Sequence, residues 1–140
     1  MPGTLEETNC IAKLLKKGNI KVSVYKGNNA NEESFKALSG KDISILHITT
    51  HSYYLNLSEE DENKYLNYLK GFTERDKMMY CSGLLFADSN NTWQGKTVSD
   101  TEYGILTSAE LSRLYFSKTK IDVLYTCKFG IGDTNHIDGV

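Results

Sequence analysis

Two nearly continuous apolar runs, Ile43–Thr50 and Ile121–Thr126, constrain the fold of this 140-residue chain more than any other feature. Both runs are rich in β-branched residues, and continuous apolar runs of this length are typical of strands that are buried on both faces of a parallel sheet. Segments with the apolar spacing of helices lie between such runs along the chain. This alternation predicts an α/β domain with a mainly parallel sheet.

The remaining elements follow from apolar periodicity, capping residues and turn residues. We predict helices at Thr4–Lys17, Asn31–Leu38 and Ser58–Leu69, and a fourth that begins with a capping box at Thr107–Glu110. Two further strands are predicted at Ile20–Tyr25 and Met79–Ala87. Asp88–Tyr103 is predicted to be an extended loop, and Lys128–Val140 an irregular tail. The length allows one core, so residues 1–140 are interpreted as one domain.

Composition narrows the class of protein. With 39% apolar residues, 24% charged residues and one proline, the chain is predicted to be globular. A formal charge of −2 argues against a sequence-independent nucleic-acid binder. We find no apolar stretch that could span a bilayer and no signal-peptide pattern, and three cysteines at wide spacing do not suggest a disulfide framework. We therefore expect a cytoplasmic domain that contacts neither membrane nor nucleic acid.

Two reactive residues directly follow the two longest apolar runs. His51 comes after Ile43–Thr50, and Cys127 comes after Ile121–Thr126. If both strands are parallel and close together, these residues meet at the carboxyl edge of the sheet, where α/β domains form their sites. A cysteine and a histidine suffice for acyl transfer, because the imidazole supports the thiolate and later protonates the leaving amine. Burial of a lone cysteine in the core is the simpler alternative.

The other cysteines and histidines have simpler interpretations. Cys10 and Cys81 are predicted to be core or near-core residues, and His47 a satisfied core or sheet-face residue. His136 is predicted to lie in a solvated loop. A zinc site built from His47, His51, Cys127 and His136 lacks the close-spaced ligand pair of structural sites. The Gly130-Ile131-Gly132 run lacks the third glycine and the following helix of a dinucleotide fingerprint, and we expect neither metal nor cofactor.

An ordered set of segments resembles the CHAT family, which comprises caspase-like domains that are often attached to tetratricopeptide repeats and are distantly related to separase. Ile45–Ser52 is similar to the family's strand that ends in a Thr-His-Gly step. Three further segments match its later motifs: Ser82–Ala87, Gly104–Leu111 and Val123–Asp133, the last with the cysteine and a Gly-x-Gly turn. The resemblance covers nearly the whole chain, and the order of the segments makes it fairly specific.

The resemblance implies a caspase-like three-layer sandwich and hydrolysis of peptide bonds through a thioester acyl-enzyme. It makes His51 and Cys127 the catalytic dyad, with the backbone N–H groups of Ser52 and Cys127 as oxyanion donors. Asp88 and Asp133 are candidates for the substrate pocket, together with Asp100 and Glu102. The implied partners are a protein or peptide substrate and an adjoining repeat domain in the parent chain.

The chain departs from the family pattern at several positions. Ser52 replaces the usual glycine and would be strained if φ there were positive, and Tyr125-Thr126 replaces a Ser-Ala pair next to the cysteine. The family's first strand and its strands after the cysteine are missing, so we interpret the chain as an incomplete fragment with exposed apolar faces and edges. A degenerate caspase-like module that serves as an interaction or regulatory scaffold is therefore the alternative function. A nucleotide-binding domain is a weaker alternative, because the chain lacks a glycine loop for phosphates.

Overall fold

A computed structural model describes residues 2–55, 78–94 and 104–131 of the chain, with the backbone alone for Pro2, Gly3, Trp93 and residues 127–131. The helices are α1 (Pro2–Lys17), α2 (Glu32–Lys36), α3 (Ser89–Trp93) and α4 (Ser108–Leu111). A 3-10 turn at Gly27–Asn29 precedes α2. The strands are β1 (Ile45–Leu55), β2 (Ser82–Leu85), β3 (Ile105–Thr107) and β4 (Ile121–Ile131).

The four strands form one sheet in the order β3-β2-β1-β4. β1 and β4 are parallel and pair in register over their whole length, from Ile45 with Ile121 to Leu55 with Ile131. β2 is antiparallel to both β1 and β3. The predicted α/β class is confirmed, and so is the parallel pairing of the two longest apolar runs.

The expectation of a mainly parallel sheet needs correction, because two of the three strand pairings among the described residues are antiparallel. A continuous apolar run predicts that a strand is covered on both faces and says nothing about the direction of its neighbours. For β4 the expected cover is also wrong, because Ile121, Val123, Leu124 and Tyr125 are exposed. Direction depends instead on how the connecting segments run. The sheet is therefore mixed.

Helix starts agree with the capping residues of the sequence. At α2, Asn31 is the N-cap and its Oδ1 accepts a hydrogen bond from the Ser34 backbone N–H at 2.9 Å. At α4, Thr107 and Glu110 form the complete capping box that the sequence predicts. Asparagine and threonine satisfy N–H groups that have no partner within the helix, and this stabilises the first turn of each short helix.

The core lies where α2 and the segment before β4 meet the sheet. The ring of Phe35 lies 5.1 Å from that of Phe86 and 5.9 Å from that of Phe116, centroid to centroid. Leu84 and Leu106 are buried on β2 and β3. The two strands approach closely at Gly83, where a Cβ atom would lie 2.1 Å from the Leu106 carbonyl oxygen, so this position requires glycine.

Several predicted elements differ from the structure. Ile20–Tyr25 forms no strand; its alternating side chains run along the surface without a neighbouring strand among the described residues. Met79–Ala87 begins with helical residues, and only Ser82–Leu85 is extended. Asp88–Tyr103 contains α3 rather than loop alone. The tail prediction is wrong for residues 128–131, which continue β4, while residues 132–140 and the predicted helix Ser58–Leu69 lie outside the described residues.

Cys10 is exposed, so its prediction as a core or near-core residue is wrong. The reason is visible on α1, where the apolar side chains Leu5 and Leu14 are also exposed. Cys81 is half-buried just before β2. Within the part of the chain that the structure describes, no helix combines the length and the apolar character that crossing a bilayer requires.

Candidate functional site

Neighbouring strands place the two predicted catalytic residues side by side. His51 on β1 and Cys127 on β4 are register partners in the parallel pairing. Each is the seventh residue of its strand. Hydrogen-bonded strands lie about 4.8 Å apart, so the backbones of these residues are neighbours although 76 positions separate them in the sequence.

The position of this pair along the strands differs from the sequence prediction. The sequence predicts His51 and Cys127 at strand ends, but both strands continue for four more residues, and their pairing extends to Leu55 with Ile131. The continuation has a physical reason. Tyr53, Tyr54 and Leu55 favour extended backbone, and the first two also pair with β2 on the other side of β1.

His51 is half-buried in the middle of the sheet, because β1 has neighbours on both sides. On the β2 side it pairs with Leu85. The preceding residue reinforces this pairing, since the Thr50 hydroxyl donates a hydrogen bond to the Leu85 carbonyl. The backbone at His51 is therefore held by ladder contacts on two sides and by a side chain from the adjacent residue.

Ser52 takes the extended conformation of a central strand residue, paired with Leu84 on one side and Lys128 on the other. Among the described residues other than glycine, positive φ values occur at Asn19 and Asp88. The strain that a left-handed conformation would impose on serine is therefore absent at Ser52. Replacement of the family's glycine by serine is compatible with this backbone.

Two tyrosines flank the pair. Tyr53 is buried, with only 4% of its surface exposed. Burial raises its pKa to about 12, and the negative charges of Glu110, Cys81 and Glu32 contribute to the shift. Tyr125 is the register partner of Thr49 and is largely exposed. In this structure the Tyr125 ring is a surface group on β4.

The acidic candidates for a substrate pocket are only partly described. Asp88 is half-buried at the start of α3, with φ at 71°, and its Oδ1 accepts a long hydrogen bond of 3.4 Å from Asn91. Its left-handed backbone marks a turn between β2 and α3. Asp133, Asp100 and Glu102 lie outside the described residues.

His47 lies on β1, four residues before His51, and contacts helix α1. Its Nε2 atom is 3.6 Å from the Glu7 Oε1 atom, and its side chain is mostly buried. This agrees with the predicted sheet-face histidine. No sequence signal could have found Glu7, because the contact joins residues 40 positions apart on a helix and a strand. His136 lies outside the described residues, and among the described ones no three His, Cys, Asp or Glu side chains cluster as metal ligands would.

Sequence reasoning also missed a group of lysines on α1. From the sequence, Lys16 and Lys17 are predictable only as charges that suit the C-terminal end of a helix, and Lys13 has no such signal. In the structure they line one groove together with Lys26 from the segment that follows. The available signal was the helical spacing of three lysines on one helix.

The fold and the paired positions define an α/β domain with a candidate cysteine–histidine site between neighbouring parallel strands. The CHAT domain family model matches residues 1–140, and the chain belongs to this family. Searches of the curated proteins and of the solved structures give no significant match to the chain.

Proposed function

We propose that this chain is the cysteine peptidase domain of a caspase-like protein, with Cys127 as the nucleophile and His51 as the general base and acid. The observation that carries the proposal is the register pairing of these residues on parallel strands, in a chain that belongs to the CHAT family. From neighbouring backbones about 4.8 Å apart, an imidazole and a thiol can reach hydrogen-bond distance.

The proposed reaction has two steps. The Cys127 thiolate attacks the carbonyl carbon of the scissile peptide bond, the C–N bond breaks, and the imidazolium of His51 gives its proton to the leaving amine. A thioester joins the substrate acyl group to Cys127. Water then attacks the thioester carbon, and His51 takes one proton from that water. The C–S bond breaks, the carboxylic acid product leaves, and the Cys127 thiolate and His51 imidazolium of the starting state are restored.

The proposed oxyanion donors are the backbone N–H groups of Ser52 and Cys127. Donors of this kind stabilise the tetrahedral intermediate, and the loss of one costs about 2.7–4 kcal/mol in other proteases. Both residues lie within the β1–β4 ladder. The proposal therefore requires that the β1–β4 pairing opens at these two positions when substrate binds. Their N–H groups can then donate to the carbonyl oxygen of the scissile bond.

Cysteine alkylation tests the activated dyad directly. A free thiol with an ordinary pKa near 8.5 is only about 3% thiolate at pH 7, so a His51-supported Cys127 should react with iodoacetamide about tenfold faster than the exposed Cys10. Mass spectrometry of the full chain follows each cysteine separately. His51→Ala should remove the advantage of Cys127. His47→Ala, which changes the other histidine of β1, should leave it in place.

Peptide cleavage provides the second measurement. Cys127→Ser should abolish both cleavage of a peptide library and labelling by an acyloxymethyl ketone peptide, whereas Cys81→Ser should retain them. If Cys127 reacts no faster than Cys10, or if His51→Ala leaves its rate unchanged, the peptidase proposal is wrong.

A catalytically inactive module that acts as an interaction scaffold is the second candidate function. The observation that favours it is the location of His51 and Cys127 inside continuous strands rather than at their ends. The same alkylation experiment separates the two candidates, because a scaffold has no reason to activate Cys127. An adjoining repeat domain and a protein substrate are proposed partners of the peptidase.

A further inference from the structure

An open groove lies between the C-terminal half of α1 and the segment that leads from it to the 3-10 turn. We call it the basic groove, because it is lined by Lys13, Lys16, Lys17 and Lys26. Its volume is about 680 Å³, and Ala12 and Val24 give it an apolar floor. It shares no residue with the His51–Cys127 site.

Positive charge is concentrated in the basic groove. Its four lysines are a quarter of the 16 Lys and Arg residues of a chain whose net charge is −2, and no acidic side chain lines the groove. Within the described part of the chain, none of the four forms an ion pair. Lysines on this chain do form ion pairs elsewhere, as Lys36 does with Glu32 and Glu110.

The arrangement of these lysines is unfavourable without an anion. Lys13 lies three and four residues before Lys16 and Lys17, and like charges at these helical spacings repel. The helix dipole stabilises Lys16 and Lys17 in the last turn, but its effect does not reach Lys13. Lys26 is added from outside the helix, and its Nζ atom donates a hydrogen bond to the Asn9 side chain, which holds this fourth charge at the groove.

The shape of the basic groove favours an extended ligand with several negative charges. Residues 9–17 of α1 span about 12 Å at the helical rise of 1.5 Å per residue, which is longer than a single phosphate group. The floor itself is apolar at Ala12 and Val24, and Val24 is 40% exposed. A ligand that complements both features carries carboxylates for the lysines and at least one apolar side chain for the floor.

We propose that the basic groove binds an acidic, partly apolar peptide segment of a partner protein. Nucleic acid is disfavoured because the chain as a whole is negative and no aromatic residue lines the groove to stack against a base. A compact phosphate ligand is disfavoured because lysine side chains on the rim of an open groove supply point charges and no converging backbone N–H groups.

Fluorescence anisotropy with the full chain tests this proposal. The probe is a fluorescein-labelled peptide in which pairs of Glu alternate with Leu, and the reference probe has Gln in place of every Glu. We expect the Glu peptide to bind, with an affinity that falls as salt rises, and the Gln peptide to bind much more weakly. Lys13→Gln combined with Lys17→Gln should weaken binding of the Glu peptide about five- to tenfold.

The matched control combines Lys41→Gln with Lys120→Gln, which removes the same charge from exposed positions outside the groove. It should change the affinity less than twofold. Lys26→Gln alone serves as a second groove variant that leaves α1 untouched, and circular dichroism melting verifies that each variant is folded. Equal weakening by groove and control variants would mean unspecific attraction and would overturn the proposal.

Two further titrations distinguish an acidic peptide from other anionic ligands. Sodium tripolyphosphate and vesicles of phosphatidylserine are each titrated against the same variants. If either binds in a manner that depends on Lys13 and Lys17 while the Glu peptide does not bind, the assignment to an acidic peptide is wrong. Because none of the groove lysines belongs to the proposed dyad, alkylation of Cys127 should be unchanged in every groove variant, and this keeps the two proposals independent.

Discussion

Tyr53 lies one residue beyond Ser52 and is the buried tyrosine next to the candidate site. Burial and the negative charge of Glu110 together raise the pKa of its hydroxyl to about 12. The neutral phenol is therefore the form that the folded chain stabilises. In the unfolded chain the same group titrates near its ordinary value of 10.0.

The raised pKa of Tyr53 predicts a loss of stability at alkaline pH. Its contribution is fully present below pH 10 and is lost between pH 10 and about 12, because the unfolded chain releases the proton first. The contribution is on the order of 2 kcal/mol. Tyr53→Phe should flatten the decline of the free energy of unfolding over this range, measured by urea denaturation at several pH values.

Tyr54→Phe is the matched control, since Tyr54 is exposed on the same strand. It should leave the alkaline decline as steep as in the original chain. Parallel declines for the Tyr53→Phe variant and the original chain would show that Tyr53 does not titrate differently in the folded and unfolded states.

Single residues show which sequence predictions succeed. Asn31 is the N-cap that the sequence predicts, because a cap depends only on the next three residues. His47 lies on the sheet as predicted, because it is part of an apolar run that forms a strand. Cys10 was misplaced, because the apolar side chains of a helix indicate only that one face is apolar and not that another element covers it. The extended backbone at Ser52 depends on pairing with residues far along the chain, and no local pattern contains that information.

Helix α4 illustrates how a four-residue element is held in place. The Thr107 Oγ1 atom accepts a hydrogen bond from the Glu110 N–H at 3.2 Å, and the Thr107 N–H donates to the Glu110 carboxylate at 3.0 Å. Lys36 of α2 donates to the same carboxylate at 3.1 Å. Burial alone would raise the pKa of Glu110, but hydrogen bonds to its carboxylate from the Thr107 N–H, the Thr107 hydroxyl and Lys36, together with the Lys36 charge, lower it.

Removal of this cap should be measurable. Thr107→Ala deletes the hydroxyl that accepts from Glu110 and should lower the free energy of unfolding by about 1 kcal/mol, whereas Thr107→Ser keeps an equivalent oxygen and should cost less than half of that. Urea denaturation at pH 7 measures both changes. Equal losses in the two variants would indicate that the threonine methyl group, rather than the cap, stabilises α4.

Element boundaries were predicted less well than element types. The capping box at Thr107–Glu110 was predictable because all its contacts lie within four residues. The ends of β1 and β4 were not, because each strand continues as long as a neighbour pairs with it. The alternating pattern of Ile20–Tyr25 has no such neighbour among the described residues, and a strand pattern without a partner does not form a strand.

For the whole molecule, the exposed apolar surface of β4 is the main physical consequence of the fold. Ile121 and Leu124 are 52% and 53% exposed, and Val123 and Tyr125 are exposed as well. Successive residues of a strand point to opposite faces, so both faces of the first half of β4 contact solvent. The sequence predicted exposed apolar faces of this kind, although it could not locate them on β4.

This surface predicts association of the chain with itself. We expect the apparent mass in analytical ultracentrifugation to rise as the concentration approaches about 100 μM. Leu124→Lys should shift this rise to higher concentrations, because a charge on β4 opposes contact between apolar surfaces. Leu14→Lys places the same charge on α1, where Leu14 is 67% exposed, and should have little effect. A strictly monomeric chain throughout this range contradicts the prediction.

The shared register of β1 and β4 has a consequence for comparing relatives of this chain. One residue inserted or deleted between Ile121 and Cys127 would shift every later position of β4 by one, and the cysteine would then project from the opposite side of the sheet to its former partner at His51. A relative with such a length change would keep both residue types in its sequence and still lack the register pairing on which the proposed dyad depends. The number of residues between the start of β4 and the cysteine is therefore a better indication that a relative has the proposed dyad than the presence of a histidine and a cysteine alone.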